Sequence, residues 1–484
     1  MTLLMLQSLS PLLIIAFGTV LSLLLIAWRR SQKMILAFTI AIFVCAILAS
    51  ISLVINLTDG IQVTSLMKID RYGCITLILI LIASISVSIL SSAWLTHSVE
   101  MHDEFFILLQ LVVLGAGVLV MSDHFASLFL GFELLSISLV GMVGYSRSSE
   151  HSVESSFKYL ILSACASSFM LLGIAFIYSQ SGSLSFSVKV DDVLGFFYVV
   201  GMALFLVGTF FKLSLAPFHF WTPDVYQGAP TSVTLLLATV SKVAMFIVLM
   251  KFWFSQSWLF QVKETAFSML SFISLIAILS MLIGNVLALK QQNIKRLLAY
   301  SSIAHMGYLL IVLLIISPQS VKLAWQSALF YLVAYVLATI ALFVVVQLGQ
   351  GKAKNIEQRV SDWQGMFWNN RLFAILVIIA VLSLAGIPLT AGFIGKFYLL
   401  NIAVQNQQWW LLTALIIGSG IGLYYYLQII FALFQEQKTI EKSEVNELIV
   451  EETITPMLRF SVVLLILISV LLGVFPDILA QVFY

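Results

Sequence analysis

The sequence predicts an all-α polytopic membrane protein of about fourteen transmembrane helices, two of them broken, and three observations predict it. Hydrophobic residues make up 61% of the 484 and charged residues only 10%. With a mean hydropathy of +1.09, that excludes a water-soluble globular fold. Apolar runs of about 20 residues, the length that a bilayer core of roughly 30 Å demands, recur from end to end. Proline and glycine interrupt two of those runs where a continuous helix does not tolerate them.

The runs fall near 9–28, 34–56, 74–95, 105–121, 125–145, 156–178, 193–216, 231–254, 267–289, 295–316, 322–348, 370–402, 409–434 and 457–482. No positive charge precedes the first run, and Arg29, Arg30 and Lys33 follow it. A cleaved signal has the reverse arrangement, so this run is expected to be a retained span. Threading the spans puts Arg29, Arg30, Lys33, Arg147, Lys290, Lys295, Arg296, Lys352, Lys354, Arg359, Arg371, Lys438, Lys442 and Arg459 on one side. Lys68, Arg71, Lys189, Lys251, Lys263 and Lys322 fall on the other. The richer side is expected to be cytoplasmic in a bacterial inner membrane, with both termini periplasmic. The longest polar connection, Gln435 to Glu452, then lies in the cytoplasm, as a solvated loop or as a docking surface for a partner subunit.

Span seven ends in Lys212-Leu213-Ser214-Leu215-Ala216-Pro217, and span twelve contains Ser383-Leu384-Ala385-Gly386-Ile387-Pro388-Leu389-Thr390-Ala391-Gly392. Proline removes an amide donor and glycine loosens the backbone, so both helices are expected to break near mid-membrane. The shared Ser-Leu-Ala ahead of a proline points to an internal repeat. Spans four to eight and nine to thirteen each hold five helices, with the break in the fourth. An odd number of spans turns the second copy upside down, and paired broken helices in inverted repeats mark an ion path. The expected organisation is a three-helix segment over 1–103, a first repeat over 104–260, a second over 261–434, and a loop with a final helix over 435–484.

Other chemistries find no footing. The net charge of +2 carries no basic field for nucleic acid. Cys45, Cys74 and Cys165 are far apart, with no spacing suited to a metal or haem, and no glycine-rich nucleotide motif appears. The chain is expected to hold no metal and no cofactor and to transfer no electrons itself.

What remains are charges where charge is costly, since an ionised group at mid-bilayer costs at least about 2.5 to 3.5 kcal/mol on insertion scales. Glu133 in span five, Lys212 in span seven, Lys242 in span eight and Lys396 in span twelve are those groups. Ser136 follows Glu133 by three residues and shares its helix face. Low dielectric favours neutral forms, so Glu133 and Lys212 can exchange a proton, or they form a static pair that glues two helices. Lys212 precedes Pro217 by five residues and Lys396 follows Pro388 by eight, which puts both near loosened carbonyls that admit water. Lys396 alternatively snorkels to the interface. Lys158, four residues after Glu154, is either surface decoration or a modulator of Lys212. His305 suits a relay between Lys242 and Lys396, or is a satisfied core residue. His219, just beyond the first break, lines an entrance or caps a loop.

Three stretches carry a resemblance: Phe211 to Pro230, with Lys212-Leu213-Ser214-Leu215-Ala216-Pro217-Phe218-His219-Phe220-Trp221-Thr222-Pro223-Asp224; Gly284 to Tyr308, with Ala299-Tyr300-Ser301-Ser302-Ile303-Ala304-His305-Met306-Gly307; and Leu384 to Phe393. Together they closely resemble the antiporter-like subunits of bacterial respiratory complex I, the proton-translocating NADH:quinone oxidoreductase, and within them the subunit N type. Related subunits of the M type carry a glutamate where this chain has Lys396. The resemblance implies fourteen helices with two inverted five-helix repeats, a place beside other membrane-arm subunits, and no cofactor in the chain. FMN, iron-sulfur clusters and quinone, expected to be ubiquinone, would belong to other subunits. It further implies that Glu133 and Lys212 form the first half-channel, that Lys242 is the central relay, that Lys396 serves the exit half, and that Lys158 modulates. Two rivals stand beside this reading: a subunit of a multi-subunit cation/proton antiporter, and a membrane scaffold with vestigial ion pairs.

Overall fold

The computed structural model describes residues 3–56, 60–98, 102–147, 149–187, 195–256, 263–315, 320–349, 359–435 and 456–477. The polar connection after Gln435 and the charges at Lys189, Lys352, Lys354, Lys438 and Lys442 lie outside them. In chain order the helices are α1 (Leu3–Ser8), α2 (Ser10–Trp28), α3 (Gln32–Asn56), α4 (Arg71–Ser98), α5 (Glu104–Val120), α6 (Phe125–Val143), α7 (Glu150–Ser181), α8 (Phe196–Leu213), α9 (Trp221–Gly228), α10 (Thr231–Ala238) and α11 (Val240–Ser255). They continue as α12 (Lys263–Leu289), α13 (Ile294–Leu309), α14 (Val321–Gly349), α15 (Met366–Asn369), α16 (Arg371–Ala385), α17 (Ala391–Gln405), α18 (Trp409–Phe434) and α19 (Pro456–Val474). Among the described residues eleven helical stretches are long and apolar enough to cross a membrane, and three shorter apolar helices accompany them. The expected multi-pass membrane protein is what the chain forms.

One element departs from the all-α expectation. Between α3 and α4, β1 (Ile61–Thr64) pairs antiparallel with β2 (Met67–Ile69), with Ile61 opposite Ile69 and Thr64 opposite Met67. Its tip docks on the link before α6: the Leu66 carbonyl accepts from the Asp123 amide at 3.1 Å and from Ser127 Oγ at 2.7 Å. The run was too short to register against the long helical pattern.

The chain forms two compact units. The first comprises residues 1–221 and 228–273, the second 222–227 and 274–484. In the first, α10 and α11 are enclosed on all sides, as expected of helices apolar all round. Span eight crosses as one stretch, Thr231–Ser255, and kinks at Thr239, the single residue between α10 and α11. Thr239 Oγ1 donates to the Leu235 carbonyl at 2.7 Å, a back-bond of the kind that bends helices. Neither proline nor glycine flags it in the sequence. Gln110 of α5 ties in α2 and α3 by donating to Thr39 Oγ1 at 2.9 Å and accepting from Ser22 Oγ at 3.1 Å. Where α7 crosses α8, a Cβ at Gly173 would stand 2.5 Å from the Phe205 amide nitrogen and one at Gly201 2.8 Å from the Gly173 carbonyl oxygen. Only glycine lets these backbones meet.

Lys251, assigned to a loop by the sequence, lies within α11 and pairs with Asp70 at 2.7 Å. The same Asp70 oxygen accepts from the Gly73 amide at 2.9 Å and caps α4. In the second unit α13 and α14 are the enclosed helices. Lys295, also assigned to a loop, is buried in the first turn of α13. Its neighbour Arg296 donates to Asp224 Oδ1 at 2.7 Å and to Gln227 Oε1 at 3.0 Å.

Candidate proton-relay sites

Both broken spans stop in the same way. At the end of α8, Ser214 takes φ 62° and the Leu215 amide bonds back to the Phe210 carbonyl at 2.9 Å. At the end of α16, Gly386 takes φ 81° and the Ile387 amide bonds back to the Leu382 carbonyl at 3.0 Å. A left-handed residue followed by this six-to-one bond is a standard helix stop. Ser214 thus corresponds to Gly386, and the shared Ser-Leu-Ala, which would pair Ser214 with Ser383, is three residues out of register. At each stop a side chain from beyond it donates to a carbonyl of the last turn. Trp221 Nε1 donates to the Phe211 carbonyl at 3.0 Å, and Lys396 Nζ donates to that of Ala385 at 2.8 Å.

In the first unit Lys212 sits in the last turn of α8, 1% exposed. Its Nζ donates to Ser136 Oγ at 2.7 Å and to Tyr159 OH at 2.6 Å, and lies 5.0 Å from the ring centres of Phe132 and Tyr159. Among the described residues no ion pair joins it to Glu133, so the static pair is not what holds these helices. Glu133, half-buried, lies on α6 between outward-facing Leu130 and Ile137. Ser136, one turn on, is the residue of α6 that bonds the ammonium. Lys242, fully enclosed, stands in the first turn of α11, three residues beyond the kink at Thr239.

Lys158 is exposed and paired with Glu154 at 2.7 Å, the surface arrangement. The residue after it is the one that reaches Lys212. The buried face of α7 runs Ser152, Ser155, Tyr159, Ser163, Ala166, Met170, a three-and-four spacing that puts Tyr159 inward and Lys158 outward. That stripe was available in the sequence. His219 is buried and stacked on Phe220 at 4.7 Å. At the outer end of α6, His124 Nδ1 accepts from the Ala126 amide at 3.1 Å as the helix cap. Burial holds the His124 pKa below its usual value.

In the second unit Lys396 is buried beside the break, and its ammonium lies 5.3 Å from the Tyr308 ring centre. It does not snorkel. It shares with His305, Tyr331, Tyr335 and Ser383 a cavity of about 10 Å³, on the order of one water molecule. Both His305 nitrogens are engaged, Nδ1 with Tyr331 OH at 2.6 Å and Nε2 with Tyr426 OH at 3.1 Å. Tyr426 OH also bonds with Ser301 Oγ. Tyr308 OH accepts from Asn285 Nδ2 at 2.8 Å, and Asn285 Oδ1 accepts from Tyr425 OH at 3.1 Å. No spacing along the chain joins these tyrosines, because they come from three helices.

Buried ammoniums beside broken backbone and an imidazole bonded to two phenols can hold and pass protons. Comparison with known proteins agrees with that character. Residues 122–422 match the family described as NADH:quinone oxidoreductase/Mrp antiporter, TM. A chain of respiratory complex I from Thermus thermophilus shares 28% identity over 96% of this chain and 97% of its own, with a TM-score of 0.80. Two more distant chains share the fold. One is from the membrane-bound sulfane sulfur reductase, an archaeal respiratory membrane complex, at 20% identity over 99% and 96% of the two chains and TM-score 0.84. The other is from the Mrp complex of Dietzia sp. DQ12-45-1b, at 18% identity over 100% and 96% and TM-score 0.83. With the family match spanning both breaks and every buried lysine described above, the chain belongs to the antiporter-like membrane subunits of the NADH:quinone oxidoreductase/Mrp antiporter family.

Proposed function

We propose that this chain is a proton-translocating subunit of the membrane arm of NADH:quinone oxidoreductase, of the subunit N type, in a bacterial inner membrane. It carries protons toward the periplasm while electron transfer from NADH to quinone takes place on partner subunits. The observation that carries the reading is Lys212, an ammonium 1% exposed and solvated by two hydroxyls and two ring faces, with no carboxylate among the described residues bonded to it to fix the proton in place. A proton enters toward Lys212, passes to Lys242 and then His305, and leaves by way of Lys396. Glu133 biases the first step through its charge, and the two five-helix repeats run in inverted sense. The step from Lys242 to His305 is part of the proposal. What supports the choice of complex is the 28% identity with the Thermus chain together with lysine at position 396.

The test is Lys212→Ala in the assembled complex, with quinone reduction and proton pumping measured together in native membranes. Loss of both in an assembled complex is the expected result, and unchanged coupled turnover removes Lys212 from the path. The likeness of fold to the Mrp chain favours a second reading, a cation/proton antiporter subunit. Proton movement driven by a cation gradient, with no dependence on NADH, would establish it instead.

A further inference from the structure

His305 is bonded at both ring nitrogens to phenols from two different helices: Tyr331 of α14 at Nδ1, 2.6 Å, and Tyr426 of α18 at Nε2, 3.1 Å. A neutral imidazole donates from one nitrogen and accepts at the other, while a phenol hydroxyl does either. If His305 donates at Nδ1, Tyr426 must donate to Nε2; in the other tautomer both bonds reverse. The three side chains form one continuous line of exchangeable hydrogens, extended at one end by Ser301 on Tyr426.

The line has a direction. Ser301 stands seven residues from the start of α13, and His305 lies one turn deeper. Tyr331 opens on the cavity shared with Lys396. Ser327, four residues before Tyr331 on α14 and so on the same face, is fully buried, and among the described residues its hydroxyl has no partner. A buried hydroxyl of that kind is where an ordered water belongs. Ser327 lies six residues from the beginning of α14, at the opposite end of the second unit's helices from Ser301, because α14 runs back after α13.

We propose that Tyr426 and Tyr331 are themselves proton carriers, passing a proton through the His305 imidazole and out along α14 past Ser327. Tyr426 gives its hydroxyl proton to Nε2 and is refilled from Ser301, whose oxygen takes up the entering proton in the same step. The imidazolium gives the Nδ1 proton to the Tyr331 oxygen, and Tyr331 releases its own hydrogen to water in the cavity. One proton enters and one leaves, and the imidazole ends as the other tautomer until exchange with cavity water resets it. Lys396, across the same cavity, takes up the proton arriving there before it leaves past Ser327, in keeping with the exit by way of Lys396. Ordered passage through several hydroxyls in a row makes the step sensitive to deuterium.

The inference rests on the proton-translocating reading, and one series separates their failures. Tyr331→Phe, Tyr426→Phe, Ser327→Val and Tyr424→Phe are compared with Lys212→Ala in native membranes, with assembly checked and pumping recorded in light and heavy water. Tyr424 serves as the control because it lies on the same helix as Tyr426 but is exposed. Tyr331→Phe and Tyr426→Phe should each cut pumping roughly tenfold or more. Tyr424→Phe should stay within about twofold. Ser327→Val, which excludes the water but leaves His305 and both phenols in place, should slow pumping and enlarge the solvent isotope effect. Should a phenol variant fail to assemble, Ser327→Val decides. Normal pumping in Tyr331→Phe or in Ser327→Val, beside a dead Lys212→Ala, would overturn the hydroxyl route alone. Normal pumping in Lys212→Ala as well would bring down the translocation reading itself.

Discussion

The ammonium of Lys396 donates to the carbonyl of Ala385 at 2.8 Å, so the charge of α17 closes the broken end of α16. The backbone there is shaped for it. Gly386 stands at φ 81°, and a Cβ on it would lie 2.7 Å from Lys396 Cδ.

Gly386→Ala should therefore act in two ways. The left-handed conformation costs a side chain roughly 1–2 kcal/mol, and the new methyl displaces the lysine stem. The variant is expected to assemble in reduced amount and to pump several-fold more slowly per assembled complex, by roughly the factor that a 1 kcal/mol loss implies. Dye-quench pumping normalised to assembled complex checks it. Normal specific activity would mean that the lysine does not need the Ala385 carbonyl.

Tyr159→Phe removes one of the two hydroxyls that solvate Lys212 and keeps the ring. A hydrogen bond to a charged group is worth roughly 1.5–3 kcal/mol, so a tenfold or greater fall in coupled pumping is expected. Lys158→Ala, one residue away but outward-facing, should change pumping far less. If the two variants ranked the other way, the exposed pair would be the active element.

These two neighbours show what the sequence made legible. Composition and run length sufficed for the membrane fold, because a bilayer imposes both. Proline and glycine located the two stops, and cost of burial singled out Lys212, Lys242 and Lys396. The kink at Thr239 was hidden, since neither proline nor glycine stands there and the same threonine back-bond occurs at Thr339 in unbroken α14. The shared Ser-Leu-Ala does not mark matching positions of the two stops, because a left-handed turn is a backbone property that serine and glycine can both supply. Lys158 drew attention by its charge, whereas Tyr159, which does the contacting, looked like one aromatic among many. Tyr331 and Tyr426 meet His305 only through packing of three helices, which no local pattern encodes.

Asp70 serves a helix cap and an ion pair with one oxygen. Lys251 is 9% exposed at the side chain and Asp70 24%, so Asp70→Asn leaves a largely buried ammonium without its counter-charge. The expected cost is on the order of 3 kcal/mol. Lys251→Met should be milder, and adding it to Asp70→Asn should recover part of the loss. Thermal stability of the solubilised complex across the four combinations measures the coupling. Additive losses would mean that the pair contributes nothing beyond the cap.

His124 caps α6 only while Nδ1 is free to accept. Its pKa is lowered by burial, so the folded state binds fewer protons than the unfolded state just below the ordinary histidine range. The cap's contribution is present above the unfolded pKa of about 6.5 and fades as pH falls through the lower folded value. Loss of a cap costs about 1 kcal/mol. His124→Asn keeps an acceptor that does not titrate, and should flatten the stability profile between about pH 5 and 7. An unchanged profile would assign the pH dependence to another group.

The tip of the hairpin gives its Leu66 carbonyl to both the Asp123 amide and the Ser127 hydroxyl. Ser65, beside it, is exposed. A strand turn outside the apolar interior is thereby fastened to the first turn of α6, the helix that bears Glu133 two turns further on. That makes the hairpin a handle: a fluorophore or spin label at Ser65 would report tilting of α6 during turnover without any probe entering the relay, and a rigid binder clamped there would act as a brake on the same helix from the aqueous side.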